Sequence, residues 1–230
     1  MEAIITVLSE VHGAIISGKP AGYGWLLGLG VLLFYASGLY VLWGVFQAIK
    51  GGDAWHFVGP VERMVHWAAL VAAACVPVMA VCILYEVIMR YAFNAPTIWA
   101  FEVSYMLMGT SLMLGIGYCS QLRRHIRVDF YYDSVTDQRR ALIDLAGYII
   151  LLLPGAIWIT WALFEYWFEA YKVNERTGES AWNPLVWPFK FFFTFGFFLF
   201  TLQSIVETLK SILTLMGRDV PAPNTPKGFE

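Results

Sequence analysis

Between Arg63 and Glu86 the chain reads MVHWAALVAAACVPVMAVCILY (residues 64–85), 22 residues without Asp, Glu, Lys or Arg. About 20 predominantly apolar residues make a helix long enough to cross the hydrocarbon core of a bilayer, so this stretch points to a membrane span. Four other charge-free stretches answer to the same rule: 30 residues at 20–49, 20 at 103–122, 20 at 145–164 and 16 at 191–206. The last is extended by apolar turns on both sides, and Lys190 at its start can snorkel toward the interface. Charge placement therefore predicts helices near 23–49, 64–89, 99–122, 142–168 and 185–215. Strands of a membrane barrel would be about 9–11 residues long and alternating; these runs are longer and uniformly apolar.

Composition agrees. Of 230 residues, 59% are hydrophobic and 14% charged, where soluble domains run at about 45–50% and about 25%. Mean hydropathy is +0.61. Disorder is excluded by the apolar content. A nucleic-acid partner is disfavoured, because 15 Lys+Arg against 17 Asp+Glu leave no basic excess to neutralise phosphates. Ala3–Ser17 is apolar but too short to span and holds Glu10 and His12. It lacks the basic start and cleavage site of a secretory signal, so an interfacial helix or loose tail is expected. Cys75, Cys82 and Cys119 fall within spans without metal-ligand spacing and read as packing residues.

Lys and Arg near span ends set orientation. Segment 123–141 carries Arg123, Arg124, Arg127, Arg139 and Arg140, whereas 90–98 carries only Arg90. Segments 50–63, 123–141 and the tail from 216 to 230 share one side of a five-span layout, which is thereby expected to be cytoplasmic. The N-terminus then faces outward if 23–49 crosses. Five arginines interleaved with Ile126, Val128, Phe130, Tyr131 and Tyr132 also suit an amphipathic segment at the interface.

Two runs carry more detail. In EVIMRYAFNAPTIWAFE (86–102), Glu86 and Arg90 are spaced to pair on one helix face. Asn94-Ala95-Pro96 signals a turn, Thr97 is placed to cap the next helix, and Glu102 lies in that helix's first turns, where the dipole favours a carboxylate. In GIGYCSQLRRHIRVD (115–129), His125 and Asp129 are spaced to pair. Both runs are explained structurally by a helical hairpin and a basic anchor.

Together they resemble the small membrane subunit of tripartite ATP-independent periplasmic (TRAP) transporters, the DctQ-type family. The resemblance rests on Arg90-Tyr91-x-Phe93-Asn94-x-Pro96-x-x-Trp99-x-x-Glu102, then Gly115, then His125-Ile126-Arg127-Val128-Asp129. A third block, Ser180-x-Trp182-x-Pro184-x-x-Trp187-Pro188-x-Lys190 with a later Gln203, resembles one branch, associated with polyols, oxo acids and related organic acids. The match runs from about Glu62 to Leu215. It implies an all-α inner-membrane protein with a four-helix domain at 62–215, a cytoplasmic tail at 216–230, and an additional segment at 1–61 holding the helix at 23–49. It implies no enzymatic activity and no cofactor of its own, the coupling sodium binding a large twelve-helix partner. A periplasmic binding protein would deliver the solute, an organic acid or related compound. The small subunit is implied to be a scaffold, with Glu86, Arg90, Asn94, Pro96, Trp99, Glu102, Gly115, His125, Arg127, Asp129, Trp187 and Lys190 as structural or subunit-interface residues. Arg123-Arg124 depart from the family, which often has glycine there.

The remaining features leave alternatives open. Glu86, Glu102, Asp144, Glu165, Lys190 and Glu207 all read as lying toward span ends. A transport path would want a carboxylate or broken helix near the midplane, so their placement favours a scaffold and disfavours a stand-alone channel. A haem-bearing anchor of an oxidoreductase is the rival, through His66 and His125; against it, His125 lies among arginines. Pro77 and Pro154 are expected to bend their spans. Gly24 and Gly28 permit a close helix contact. The phenylalanines from Phe189 to Phe200 would meet lipid or a partner.

Overall fold

A computed structural model describes residues 55–122 and 136–217, together with positions 39, 43, 44, 46 and 47, which are helical. The chain divides into two units, Met1–Ala54 and Trp55–Glu230. The expected helix at 23–49 lies almost wholly outside the described residues, as do His125, Arg127, Asp129 and the tail from 218.

The second unit is a helical bundle. In chain order it comprises α1 (Trp55–Ala92), α2 (Ala100–Gln121), α3 (Asp137–Gly147), a π-helical turn (Tyr148–Leu152), α4 (Leu153–Lys172) and α5 (Trp187–Leu215). Four continuous helical stretches, Phe57–Ala92, Ala100–Gln121, Arg139–Lys172 and Trp187–Leu215, are long and apolar enough to cross a membrane. The sequence places these four spans correctly but misjudges two starts. The first begins well before Met64, because Glu62 and Arg63 are helical residues and do not end the span. The third begins within the segment expected to lie in the interface, since α3 runs without a break into α4.

That continuity passes through Pro154. Proline has no N–H for the carbonyl one turn back and crowds it. Here the π turn immediately precedes Leu153 and Pro154, and the wider turn is a recognised way to accommodate such a break.

α5 is the axis of the bundle. It packs against α1, α2, α3 and α4, while α1 and α2 form the other extensive pair. Half of the most apolar stretch of α5 is buried within the chain, against 6% of that of α3–α4. Lipid is as apolar as leucine, so helices in a bilayer associate by close packing and interhelical hydrogen bonds. Both are present. At Gly196 on α5, a Cβ would stand 2.4 Å from the Met113 carbonyl oxygen of α2; only a hydrogen fits. Ser111 Oγ donates to the Ala72 carbonyl at 3.0 Å, tying α2 to α1. Thr194 Oγ1 donates to the Leu163 carbonyl at 2.9 Å, and the Thr160 and Thr201 hydroxyls share a buried hydrogen bond at 2.8 Å, tying α5 to α4.

The phenylalanine run is spent partly inside the chain. Phe189 and Phe193 close over Gly109 of α2, and Phe200 is buried. Phe191 stacks on Phe195 and against Trp167 of α4 while remaining partly exposed.

Candidate functional site: polar clusters at the two ends of the bundle

The polar side chains gather at opposite ends. At the hairpin end, α1 leads into α2 through residues 93–99. Asn94 takes a left-handed conformation (φ 49°), which asparagine tolerates better than most residues. Ala95 N–H then closes the turn onto the Met89 carbonyl at 2.9 Å. Pro96 follows, exposed. Arg90 donates from Nε (2.9 Å) and Nη2 (2.5 Å) to Glu86 Oε1, the pairing that their spacing predicts. Glu86 Oε2 accepts from both the backbone N–H and the hydroxyl of Thr97. Thr97 is therefore spent on Glu86 and does not cap α2. The N-cap falls at Trp99, with no side-chain cap bond, and the Trp99 ring stacks on Tyr85 at 5.8 Å. Glu86 thus latches the loop to α1, a role that helical spacing alone does not show.

The loop between α4 and α5 belongs to the same end. Arg176 and Leu185 form an antiparallel bridge, and Gly178 N–H donates to Asn183 Oδ1. From this loop Thr177 Oγ1 donates to Glu102 Oε1 at 2.9 Å, joining residues 75 apart. Glu102 is buried in the first turn of α2, so the loop seals the carboxylate as well as the helix dipole. Trp187 opens α5 with an edge contact to Tyr171 at 5.4 Å. Lys190 departs from expectation. Instead of snorkelling, it is 5% exposed, paired to Glu175 Oε2 at 2.5 Å and lying over the Tyr166 ring at 3.5 Å. A carboxylate and a ring face offered by the bundle replace water as the ammonium's partners.

The opposite end holds a cluster that charge spacing does not reveal. Lys210 Nζ lies 2.6 Å from Glu62 Oε1 and 2.9 Å from Glu207 Oε1, which also accepts from Gln203 Nε2 at 3.1 Å. All four residues are buried, Glu62, Gln203 and Glu207 completely. Glu207 lies toward the end of its span, as expected, but it is buried and not solvated. Glu62 and Glu207 are inside helices and sealed by protein, and burial of such ions is tolerated only with paired partners. A sequence signal was present: Gln203, Glu207 and Lys210 recur at i, i+4 and i+7 on one face of α5. The matching half, Glu62, lies 148 residues away from Lys210 and looked like loop. Nearby on α1, His66 meets the Tyr118 ring of α2 at 5.7 Å.

Among the expected residues, the structure brings together Glu86 with Arg90 and the 94–99 turn, links Glu102 to the α4–α5 loop, and buries Lys190. Among the described residues a Cβ at Gly115 would meet nothing within 4 Å, so this glycine makes no close helix contact there. Among the described residues no group of three or more His, Cys, Asp or Glu side chains is arranged to hold a metal ion.

A family model described as Tripartite ATP-independent periplasmic transporters, DctQ component, matches residues 79–214, more than half of the chain. The match begins inside α1, later than Glu62. No curated protein and no solved structure matches.

Proposed function

From the premise that the chain belongs to the DctQ component family of TRAP transporters, a family of transporter components and not of enzymes, we propose that it is a scaffold for a large transport subunit. In this reading a periplasmic binding protein delivers an organic acid or related small solute, a sodium gradient drives uptake, and both solute and sodium bind the large subunit. The haem-anchor alternative finds no support in the family match.

The observation that carries the scaffold reading is where the polar groups go. Among the described residues, Glu86, Glu102, Lys190 and the loop residue Glu175 are engaged at the hairpin end, and Glu62, Glu207 and Lys210 at the other. Between them, among the described residues, lie hydroxyl bonds that join helices, such as Thr160–Thr201, and the Trp161–Glu165 pair on one turn of α4. These polar contacts are fixed connections inside one body, the property a stator needs. The arginine-rich segment 123–141 is assigned to the cytoplasmic face of the inner membrane, which puts the hairpin end in the periplasm. Gly115, Arg90 and Trp99 are assigned to subunit contact or its support.

Affinity purification of the chain in mild detergent, followed by mass spectrometry, tests this. Co-purification of a large multi-helix membrane protein is the expected result. A monodisperse preparation that never carries one would contradict it.

A further inference from the structure

The α1–α2 pair is tied together toward one end and flanks a groove toward the other. Toward Glu62 the helices are held by the Ser111–Ala72 hydrogen bond, the His66–Tyr118 contact and the approach of Val65 to Gly117. Toward the 93–99 turn they line a groove of about 460 Å³, with Met79, Ile83, Val87, Phe101 and Met108 on its walls and Arg90, paired to Glu86, among its polar lining. We propose that this groove holds an acyl chain of a membrane phospholipid whose phosphate rests on the Arg90 guanidinium.

Length selects the occupant. From Arg90 to Met79 the helix descends roughly 16 Å at about 1.5 Å per residue, close to half of a hydrocarbon core of about 30 Å. The groove therefore has the depth of a single leaflet. Below it the Ser111–Ala72 bond closes the two helices together. A spanning helix of another protein would need the channel to continue; an acyl chain ends where the groove ends. Level agrees with length: Tyr91, 77% exposed, lines the groove, and Trp99 caps α2 next to its lining residue Ala100, as aromatics do at a headgroup boundary.

Chemistry supplies the head. Arg90 retains 54% side-chain exposure. Its Nε and Nη2 donate to Glu86, and Nη1 has no partner among the described residues. Glu86 is itself occupied by Arg90 and Thr97. The free side of a planar guanidinium is suited to a phosphate oxygen pair. The inference needs only that the bundle lies in a bilayer, and so stands apart from the transport reading.

The test is native mass spectrometry of the full chain in detergent, titrated with phosphatidylglycerol and, separately, with inorganic phosphate. One retained phospholipid per chain is expected. Arg90→Gln should weaken retention roughly tenfold, the loss of a charge-assisted hydrogen bond. Val87→Trp fills the groove and leaves Arg90 in place; it should weaken retention comparably, and inorganic phosphate alone should not compete. Circular dichroism confirms that each variant is folded, and the groove variant alone suffices if Arg90→Gln is not. Equal retention by wild type and the folded variants would overturn the proposal. So would displacement by inorganic phosphate, or a Met108→Cys variant that crosslinks to a protein partner in place of a photoreactive phosphatidylglycerol.

Discussion

The two ends of the bundle solve one problem, a charged group next to a membrane, in opposite ways. At the hairpin end Glu86 and Arg90 sit on one helix, one turn apart, with the arginine half in solvent. At the other end Glu62, Glu207 and Lys210 come from two helices distant in sequence and are withdrawn from solvent altogether. The first pair can form in an isolated helix and shapes a turn. The second exists only when α1 and α5 are docked, so it reports on the bundle. Exposure decides what each is worth, since exposed ion pairs contribute little while removal of one partner from a buried pair leaves a charge that nothing solvates.

This contrast predicts a ranked series of thermal unfolding shifts for the purified chain in detergent. Lys210→Met should be the most damaging, by about 3–5 kcal/mol, because it removes the cation between two buried carboxylates. Adding Glu62→Gln to it should restore part of the loss. If Lys210→Met melts like wild type, the buried cluster is not a tie between α1 and α5. Gly196→Ala should follow, by about 1–3 kcal/mol, because the methyl would press on the Met113 backbone and strain a close packing. Gly115→Ala is its control and should leave the melt unchanged, its surroundings being open. Thr201→Val should cost less, about 0.6 kcal/mol, typical of a hydrogen bond between membrane helices. Arg90→Gln should be smallest and give no resolved shift, while Glu86 keeps its two bonds to Thr97. A large loss at Arg90 would reverse the contrast.

What the sequence shows and conceals follows the same division. The four described spans are legible because a bilayer penalises charge in a one-dimensional way, and gaps between charges record it. Glu86 with Arg90 is legible because helical periodicity places i and i+4 together. The pairing of Glu62 with Lys210 is not legible, because no local rule links residues 148 apart. The charge-gap rule leaves Glu62 in the segment 50–63, since it starts the span only after Arg63. Lys190 was misread for a related reason: snorkelling assumes that water is the nearest relief, and here Glu175 and Tyr166 are nearer. Thr97 competed between two acceptable partners, a helix N-terminus and a carboxylate, and only the folded turn chooses.

In the proposed reading this bundle is a scaffold and not a path. Proteoliposomes under an inward sodium gradient test it with a panel of labelled organic acids, comparing this chain alone, its co-purified large subunit alone, and both together, each with the binding protein. Sodium-driven uptake is expected only when both are present. Sodium-driven uptake by this chain alone, or full uptake by the large subunit without it, would overturn the scaffold role.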